Sequence, residues 1–142
     1  MDRERILVID DMPDLLATLV DALERSGYAA VPADDCRTAL RLLEGGGFDV
    51  IVSDIVLPWV SGLQFLEMAR RLDPDVPVLL MTGYATREVA LEALGKGAAG
   101  LLEKPFTMDQ LLGALRTALA RAHLRQDTHA LSEPAAEPLT AR

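Results

Sequence analysis

The sequence predicts an α/β fold in which helices cover both faces of a parallel sheet. Short apolar runs rich in branched residues alternate five times with longer segments whose apolar residues recur at three- and four-residue spacing. The short runs lack polar–apolar alternation, which indicates strands buried on both faces. Because a helix separates each strand from the next, the crossovers favour a doubly wound parallel sheet. The length of 142 residues fits one such domain.

The predicted elements follow this alternation along the chain. The strands are predicted at Ile6–Ile9, Tyr28–Val31, Val50–Val52, Val76–Met81 and Gly100–Leu102. The helices are predicted at Met12–Ser26, from a cap at Asp34 or Asp35 to the glycine run 45–47, at Leu63–Leu72, at Thr86–Leu94, and from Thr107 to about Ala122. Ser61 and Thr107 suit N-caps, and Gly27 suits the end of the first helix.

The periodic pattern fades after Ala122. Residues 123–142 contain two prolines and few large apolar side chains. We therefore expect a domain at residues 1–122, followed by a disordered tail or linker at 123–142.

The composition of the chain excludes several classes of function. Fourteen basic and 22 acidic residues give a net charge of −8, which argues against a nucleic-acid binder and suits cations or basic partners. The single cysteine, Cys36, excludes an internal disulfide framework and a cysteine zinc site. The apolar run after the first residues is too short for a signal peptide or membrane span, so we expect a cytoplasmic protein with no membrane partner.

Polar residues collect where the predicted strands end. Asp10 and Asp11 follow the first strand, Asp54 the third, Thr82 the fourth and Lys104 the fifth. Ligands of an open parallel sheet bind beyond this edge, so these groups should converge there. Taken singly, each could be a helix cap, a turn residue or a surface lysine. Their convergence under one fold favours a site.

Three neighbouring carboxylates repel one another and need a cation. Oxygen ligands without histidine or thiol favour Mg²⁺ over zinc. One carboxylate of such a site can act as a nucleophile towards phosphorus. The metal and Lys104 would neutralise charge on phosphoryl oxygens, and Thr82 could donate its hydroxyl to one of them.

Four runs carry a family resemblance by their order and spacing: Ile9–Asp11, Asp49–Gly62, Met81–Ala85 and Glu103–Phe106. Together they resemble the receiver domain of response regulators, from about Arg5 to Ala120. The residues of these runs are most similar to those in receivers of nitrogen-regulatory-type activators and hybrid histidine kinases. The resemblance implies a flavodoxin-like (βα)5 sheet with strand order 2-1-3-4-5.

The resemblance also implies roles for the acidic residues. Asp54 matches the phosphoacceptor of the family and a metal ligand. Asp10 and Asp11 match an acidic pair that binds Mg²⁺ directly and through water. The backbone carbonyl of Val56 matches a further metal ligand.

The remaining implied roles belong to the ends of the last two strands. Thr82 matches a switch hydroxyl, and Lys104 matches a phosphate-binding lysine whose bond to Pro105 is cis in the family. Leu101 departs from the family, because many receivers carry an aromatic switch residue there. Coupling to the output face could instead use Tyr84, or be weaker.

The implied partner is a sensor histidine kinase or phosphotransfer protein. A homodimer through the fourth helix, fifth strand and fifth helix is a candidate assembly. The protein would be a phosphoacceptor that assists its own phosphorylation and dephosphorylation, and not an enzyme.

Two alternatives stay open at this point. Leu101 leaves room for a phosphate-independent pseudo-receiver that acts only by docking. A phosphohydrolase similar to the haloacid dehalogenase group would need a DxDx[TV] run after the first strand, but the chain has Asp10-Asp11-Met12-Pro13 there.

Overall fold

The computed structural model describes the backbone of residues 3–58, 60–83 and 87–141, and side chains as far as residue 124. Five strands alternate with five helices within these ranges. The strands are β1 Arg5–Ile9, β2 Ala29–Ala33, β3 Val50–Asp54, β4 Val78–Thr82 and β5 Gly100–Glu103. The helices are α1 Pro13–Arg25, α2 Cys36–Glu44, α3 Gly62–Leu72, α4 Arg87–Gly95 and α5 Met108–Ala141.

The strands form one parallel sheet in the order β2-β1-β3-β4-β5. This order confirms the predicted flavodoxin-like topology. The chain leaves β1 towards β2 on one side and returns to β3 on the other, which opens a crevice at the carboxyl ends of β1 and β3.

Successive strand residues point to opposite faces of the sheet and build two cores. One core joins Leu7, Ile51 and Leu80 to helices α2, α3 and α4. The other joins Val8 and Val52 to helices α1 and α5. Both faces are therefore covered, which explains why the strand sequences are apolar without alternation.

Local capping fixes the helices nearest the crevice. The Asp35 carboxylate accepts a hydrogen bond from the Thr38 amide at 2.7 Å, so Asp35 and not Asp34 caps α2. Ser61 and Gln64 exchange side-chain and backbone hydrogen bonds in a capping box at the start of α3. The predicted cap at Ser61 is confirmed.

Several predicted boundaries were wrong. β3 runs to Asp54 and not only to Val52, and β4 begins at Val78 and not at Val76. β2 runs to Ala33 through Pro32, which an edge strand tolerates because the missing N–H costs no ladder bond on the open side. Helix α5 continues past Ala122 to Ala141. The apolar stripe on which the prediction rested ends near Ala122, whereas Ala, Leu, Arg, Gln and Glu in the sequence after it are good helix formers. The division into domain and tail stays a prediction.

Within the described residues, no helix combines the length and apolar character needed to cross a membrane.

Candidate functional site

The three central strands bring the polar residues together at their carboxyl ends. Asp10 directly follows β1, Asp54 is the last residue of β3, and Thr82 is the last residue of β4. These strands are neighbours in the sheet. Residues that are 72 positions apart in the chain, from Asp10 to Thr82, therefore meet at one edge of the molecule.

Carboxylate oxygens of Asp10, Asp11 and Asp54 all lie within 4.8 Å of one another. Asp10 is fully buried, Asp54 is 6% exposed, and Asp11 is exposed. The cluster is thus anchored in the sheet and open to solvent on the Asp11 side. Among the described residues it is the one group of this kind with metal-binding geometry.

Lys104 supplies a positive charge to the cluster. Its Nζ donates to Oδ2 of Asp54 at 3.0 Å and to Oδ2 of Asp10 at 3.1 Å. Charge-assisted bonds of this kind are stronger than neutral ones. The lysine holds the two buried carboxylates together, although like charges would drive them apart.

Backbone amides orient the same two carboxylates. The Met12 amide donates to Oδ1 of Asp10 at 2.9 Å, and the Val56 amide donates to Oδ1 of Asp54 at 3.0 Å. Sequence reasoning did not assign these donors. In both cases an aspartate at the end of a strand accepts from the amide two residues later, a local turn that aspartate favours.

Burial and neighbouring charge shift the titration of the site. Burial raises the pKa of Asp10 above its ordinary value, against the Met12 amide and Lys104, which lower it. Burial alone would lower the pKa of Lys104, but its hydrogen bonds to Asp54 and Asp10 outweigh this and raise it. Lys104 is therefore held as an ammonium.

The backbone fixes Lys104 and Thr82 in place. The Lys104 amide donates to the Thr82 carbonyl at 2.7 Å, which extends the β4–β5 pairing to the site. Thr82 is only 1% exposed. The Lys104–Pro105 bond is cis, as the resemblance implied.

The start of α3 packs closely against the end of β3. The Gly62 amide donates to the Ile55 carbonyl at 2.6 Å. A Cβ on Gly62 would clash with backbone atoms of Asp54 and Ile55. A residue without a side chain is thus needed here to keep Asp54 in its position.

The donor set fits a hard divalent cation. The cluster offers oxygen atoms, with no thiol or imidazole among its members, and part of it faces solvent, where such an ion keeps water ligands. Val56 lies in the β3–α3 loop with its amide on Asp54, and the role of its carbonyl stays a prediction.

The structure shows the surroundings of Leu101, which stands where many receivers carry an aromatic residue. Leu101 is half-buried in β5 and packs against the core shared by α2, α3 and α4. Tyr84, the alternative coupling residue, lies outside the described residues.

A family model confirms the resemblance. Residues 6–116 match the response regulator receiver domain. The chain belongs to this family and is a receiver domain of two-component signal transduction.

Individual relatives agree with this assignment. The chain is 34% identical over 130 residues to the nitrogen assimilation regulatory protein NtrX of Azorhizobium caulinodans. The aligned region covers 90% of this chain and 29% of that protein. A CheY-like receiver domain structure from Methanospirillum hungatei is 30% identical, with a TM-score of 0.83 over 87% of this chain and 99% of that chain.

A third relative was solved with bound groups. A response regulator from Burkholderia pseudomallei, described with a phosphorylated aspartic acid, a calcium ion and citrate, is 35% identical, with a TM-score of 0.76 over 91% of this chain and 74% of that chain. The first curated relatives are longer, and this chain spans between 25% and 65% of their lengths.

Proposed function

We propose that Asp54 is the residue that accepts the phosphoryl group. The observation that carries the proposal is the double hydrogen bond of Lys104 to Asp54 and Asp10 beside a solvent-open acidic cluster. Asp54 stands at the end of a central strand, with one carboxylate oxygen on Lys104 and the other on a backbone amide. The phosphorylated aspartic acid of the Burkholderia relative supports the same chemistry here.

The proposed reaction is a displacement at phosphorus. An oxygen of the Asp54 carboxylate forms a bond to phosphorus as the P–N bond of a phosphohistidine breaks. The imidazole nitrogen keeps the electron pair of that bond and takes up a proton. The product is an acyl phosphate on Asp54, which water later hydrolyses.

Lys104 and Thr82 act on the transferred group. Once Asp54 is phosphorylated, the Lys104 ammonium can turn from the carboxylate to a phosphoryl oxygen, because it already lies 3.0 Å from Oδ2. The buried Thr82 hydroxyl donates to another phosphoryl oxygen. Fixed donors aimed at developing charge are an effective way to lower such a barrier.

Asp10, Asp11 and Asp54 would hold Mg²⁺, together with the Val56 carbonyl. The ion supplies neutralisation of the negative charge shared by the phosphoryl oxygens and the carboxylates. Asp10 is prepared for this role, because its buried carboxylate is already oriented by the Met12 amide. Asp11 is exposed, so an ion held by this cluster would remain accessible to solvent and could keep water ligands.

The partner and the setting follow from this chemistry. The donor is a sensor histidine kinase or a phosphotransfer protein, and the chain is an acceptor and not an enzyme with its own substrate. A homodimer through α4, β5 and α5 is the assembly that fits best with the exposed Leu91 on α4. The free, buried Cys36 suits a reducing cytoplasm, and residues 123–142 serve as tail or linker.

The test is intact-mass analysis after incubation with Mg²⁺ and a small acyl-phosphate donor. We expect the wild type to gain one phosphoryl group and Asp54→Ala to gain none while remaining folded. Asp75→Asn, an exposed aspartate away from the site, is the matched control and should be labelled like the wild type.

A label that persists in Asp54→Ala would remove Asp54 as acceptor. Labelling by neither the acyl phosphate nor a phosphohistidine donor protein, with Mg²⁺-dependent stabilisation intact, would favour the phosphate-independent docking module.

A further inference from the structure

A groove opens at the end of the sheet opposite to Asp54. It lies where α4 ends, β5 begins and the last part of α5 leaves the sheet, and its volume is about 470 Å³. This is within the usual range for pockets that hold ligands or anchoring side chains. The acidic site occupies the carboxyl ends of the strands, so the groove is separate from it.

The groove is apolar with a basic rim. Alanines form its floor, leucines stand at its mouth, and arginines flank it: Ala98 and Ala118, Leu94 and Leu124, Arg70 and Arg121. Leu94 is 53% exposed and Leu124 is 66% exposed. No carboxylate of the described residues lines the groove, although the chain as a whole carries a net charge of −8.

Arg70 is held in position by the turn after α4. Its guanidinium donates to the Gly97 carbonyl at 3.4 Å. Gly97 has φ of +96°, and a Cβ at this residue would lie 2.8 Å from Nε of Arg70. The glycine therefore allows the turn and makes room for the arginine.

Nearby carboxylates are occupied elsewhere. Lys96 binds Glu67 of α3 at 2.6 Å and Glu92 of α4 at 3.6 Å. Within the part of the chain that the structure describes, neither Arg70 nor Arg121 forms an ion pair with a carboxylate. No carboxylate of the described residues neutralises either guanidinium, and arginine is well suited to bind carboxylates in a bidentate way.

From this combination we infer that the groove is a docking site for an acidic amphipathic helix of a partner protein. Leucine-like side chains of the helix enter between Leu94 and Leu124 and cover the alanine floor. Glutamate or aspartate residues on the flanks of the helix bind Arg70 and Arg121. This is helix-in-groove recognition, in which apolar anchors give affinity and the charged rim selects the partner.

The site joins three elements. Arg70 belongs to α3, Leu94 to α4, and Arg121 to α5. A helix bound across them fixes the end of α4 relative to α5. Because the groove lies at the far end of the sheet, docking does not compete with a donor at Asp54, and the inference does not depend on the proposed phosphorylation.

The test uses the full chain labelled with ¹⁵N, without phosphorylation. The probe is a blocked helical peptide of leucine and glutamate at helical spacing, and the matched probe has lysine in place of each glutamate. With the acidic peptide we expect amide shifts confined to Gly97, Ala98, Ala99 and residues 118–124 of α5. The lysine peptide should bind at least about tenfold more weakly, and added salt should weaken the acidic peptide's binding.

Substitution of the two groove arginines tests whether their charges bind the acidic peptide. Arg70→Gln with Arg121→Gln should weaken binding of the acidic peptide by about tenfold or more. Arg41→Gln with Arg116→Gln, which removes two exposed arginines outside the groove, should bind like the wild type.

Three results would overturn the inference. One is equal binding of both peptides by the wild type, a comparison that needs no variant to fold. Another is the absence of localised shifts at saturating peptide. The third is a set of groove shifts that depends on protein concentration without peptide, because a second copy would then be the occupant.

Discussion

The Lys104 ammonium lies 3.0 Å from the Asp54 carboxylate, although 50 positions separate the two residues in the chain. The same nitrogen reaches Asp10, the first residue after β1. One lysine thus neutralises carboxylates from two neighbouring strands, and the ends of β1, β3 and β5 are joined by a single charged group.

Removing this lysine should separate phosphorylation from metal binding. In Lys104→Ala we expect Mg²⁺ to raise the melting temperature as in the wild type, because the three carboxylates remain. The rate of phosphoryl gain should fall on the order of 100-fold, the cost of losing one fixed charge donor at a reacting centre. The measurements are thermal melts with Mg²⁺ and timed intact-mass analysis.

The control is Lys96→Ala, which removes the other lysine of the sequence, at the end of α4. It should be phosphorylated at the wild-type rate. Complete loss of the Mg²⁺ effect in Lys104→Ala would contradict the assigned division of roles.

Asp10→Asn should stabilise the metal-free protein at neutral pH. Burial raises the pKa of Asp10, so ionisation of this carboxyl is less favourable in the folded state than in the unfolded state. The ionised carboxylate therefore costs stability at pH 7, and an amide avoids that cost. We expect the free energy of unfolding to rise by about 1 kcal/mol in a chelator, from urea denaturation.

The pH dependence and the metal give two checks on this prediction. The gain should shrink as the pH falls through the raised folded-state pKa and vanish below 3.8, the ordinary value, where both states are protonated. Added Mg²⁺ should stabilise the wild type and not the variant. A destabilised Asp10→Asn in chelator would mean that its bond to Lys104 outweighs the burial of charge.

Gly62→Ala and Gly113→Ala should have opposite effects. A Cβ on Gly62 would clash with backbone atoms of Asp54 and Ile55, which cannot move without displacing the site. We expect a loss of about 1–3 kcal/mol in the free energy of unfolding and impaired phosphorylation. Gly113, inside α5, has open space at its Cβ position, so alanine should add roughly 0.5–1 kcal/mol.

Urea denaturation of both variants tests the pair. If Gly62→Ala leaves the free energy of unfolding unchanged, the β3–α3 loop can shift without cost. The claim that the close approach of Gly62 positions Asp54 would then be wrong.

The cap of α2 should depend on pH. The Thr38 amide lowers the pKa of Asp35, so its carboxylate stabilises the folded state at pH values above the ordinary 3.8. The advantage of the wild type over Asp35→Asn should be small and constant near neutral pH. It should be lost as the pH falls below 3.8 through the lower folded-state pKa.

Urea midpoints across this pH range measure the effect. Asp34→Asn is the matched control, because Asp34 is the exposed neighbour that does not cap the helix, and its difference from the wild type should show no such loss. An Asp35→Asn difference that stays constant below pH 3.8 would show that the hydrogen bond and not the charge provides the stabilisation.

The sequence by itself determined the order of elements and which polar residues meet at the carboxyl edge of the sheet. Asp10, Asp54, Thr82 and Lys104 could be predicted because each follows an apolar run, and parallel strands must end at one edge. Caps such as Ser61 were also readable, because they depend on residues within one turn. Once the strands meet at that edge, the opposite charges of Lys104 and Asp54 favour the hydrogen bond between them.

Tertiary structure alone decided the rest. Which oxygen of Asp54 meets Lys104 and which meets the Val56 amide depends on strand register and loop path, and no local pattern encodes these. The close approach of Gly62 to β3 has the same origin. The groove beside Arg70 and Arg121 combines residues of α3, α4 and α5, and the two arginines give it its positive charge. Such contacts join residues distant in sequence, so they exist only after the sheet has placed the helices against each other.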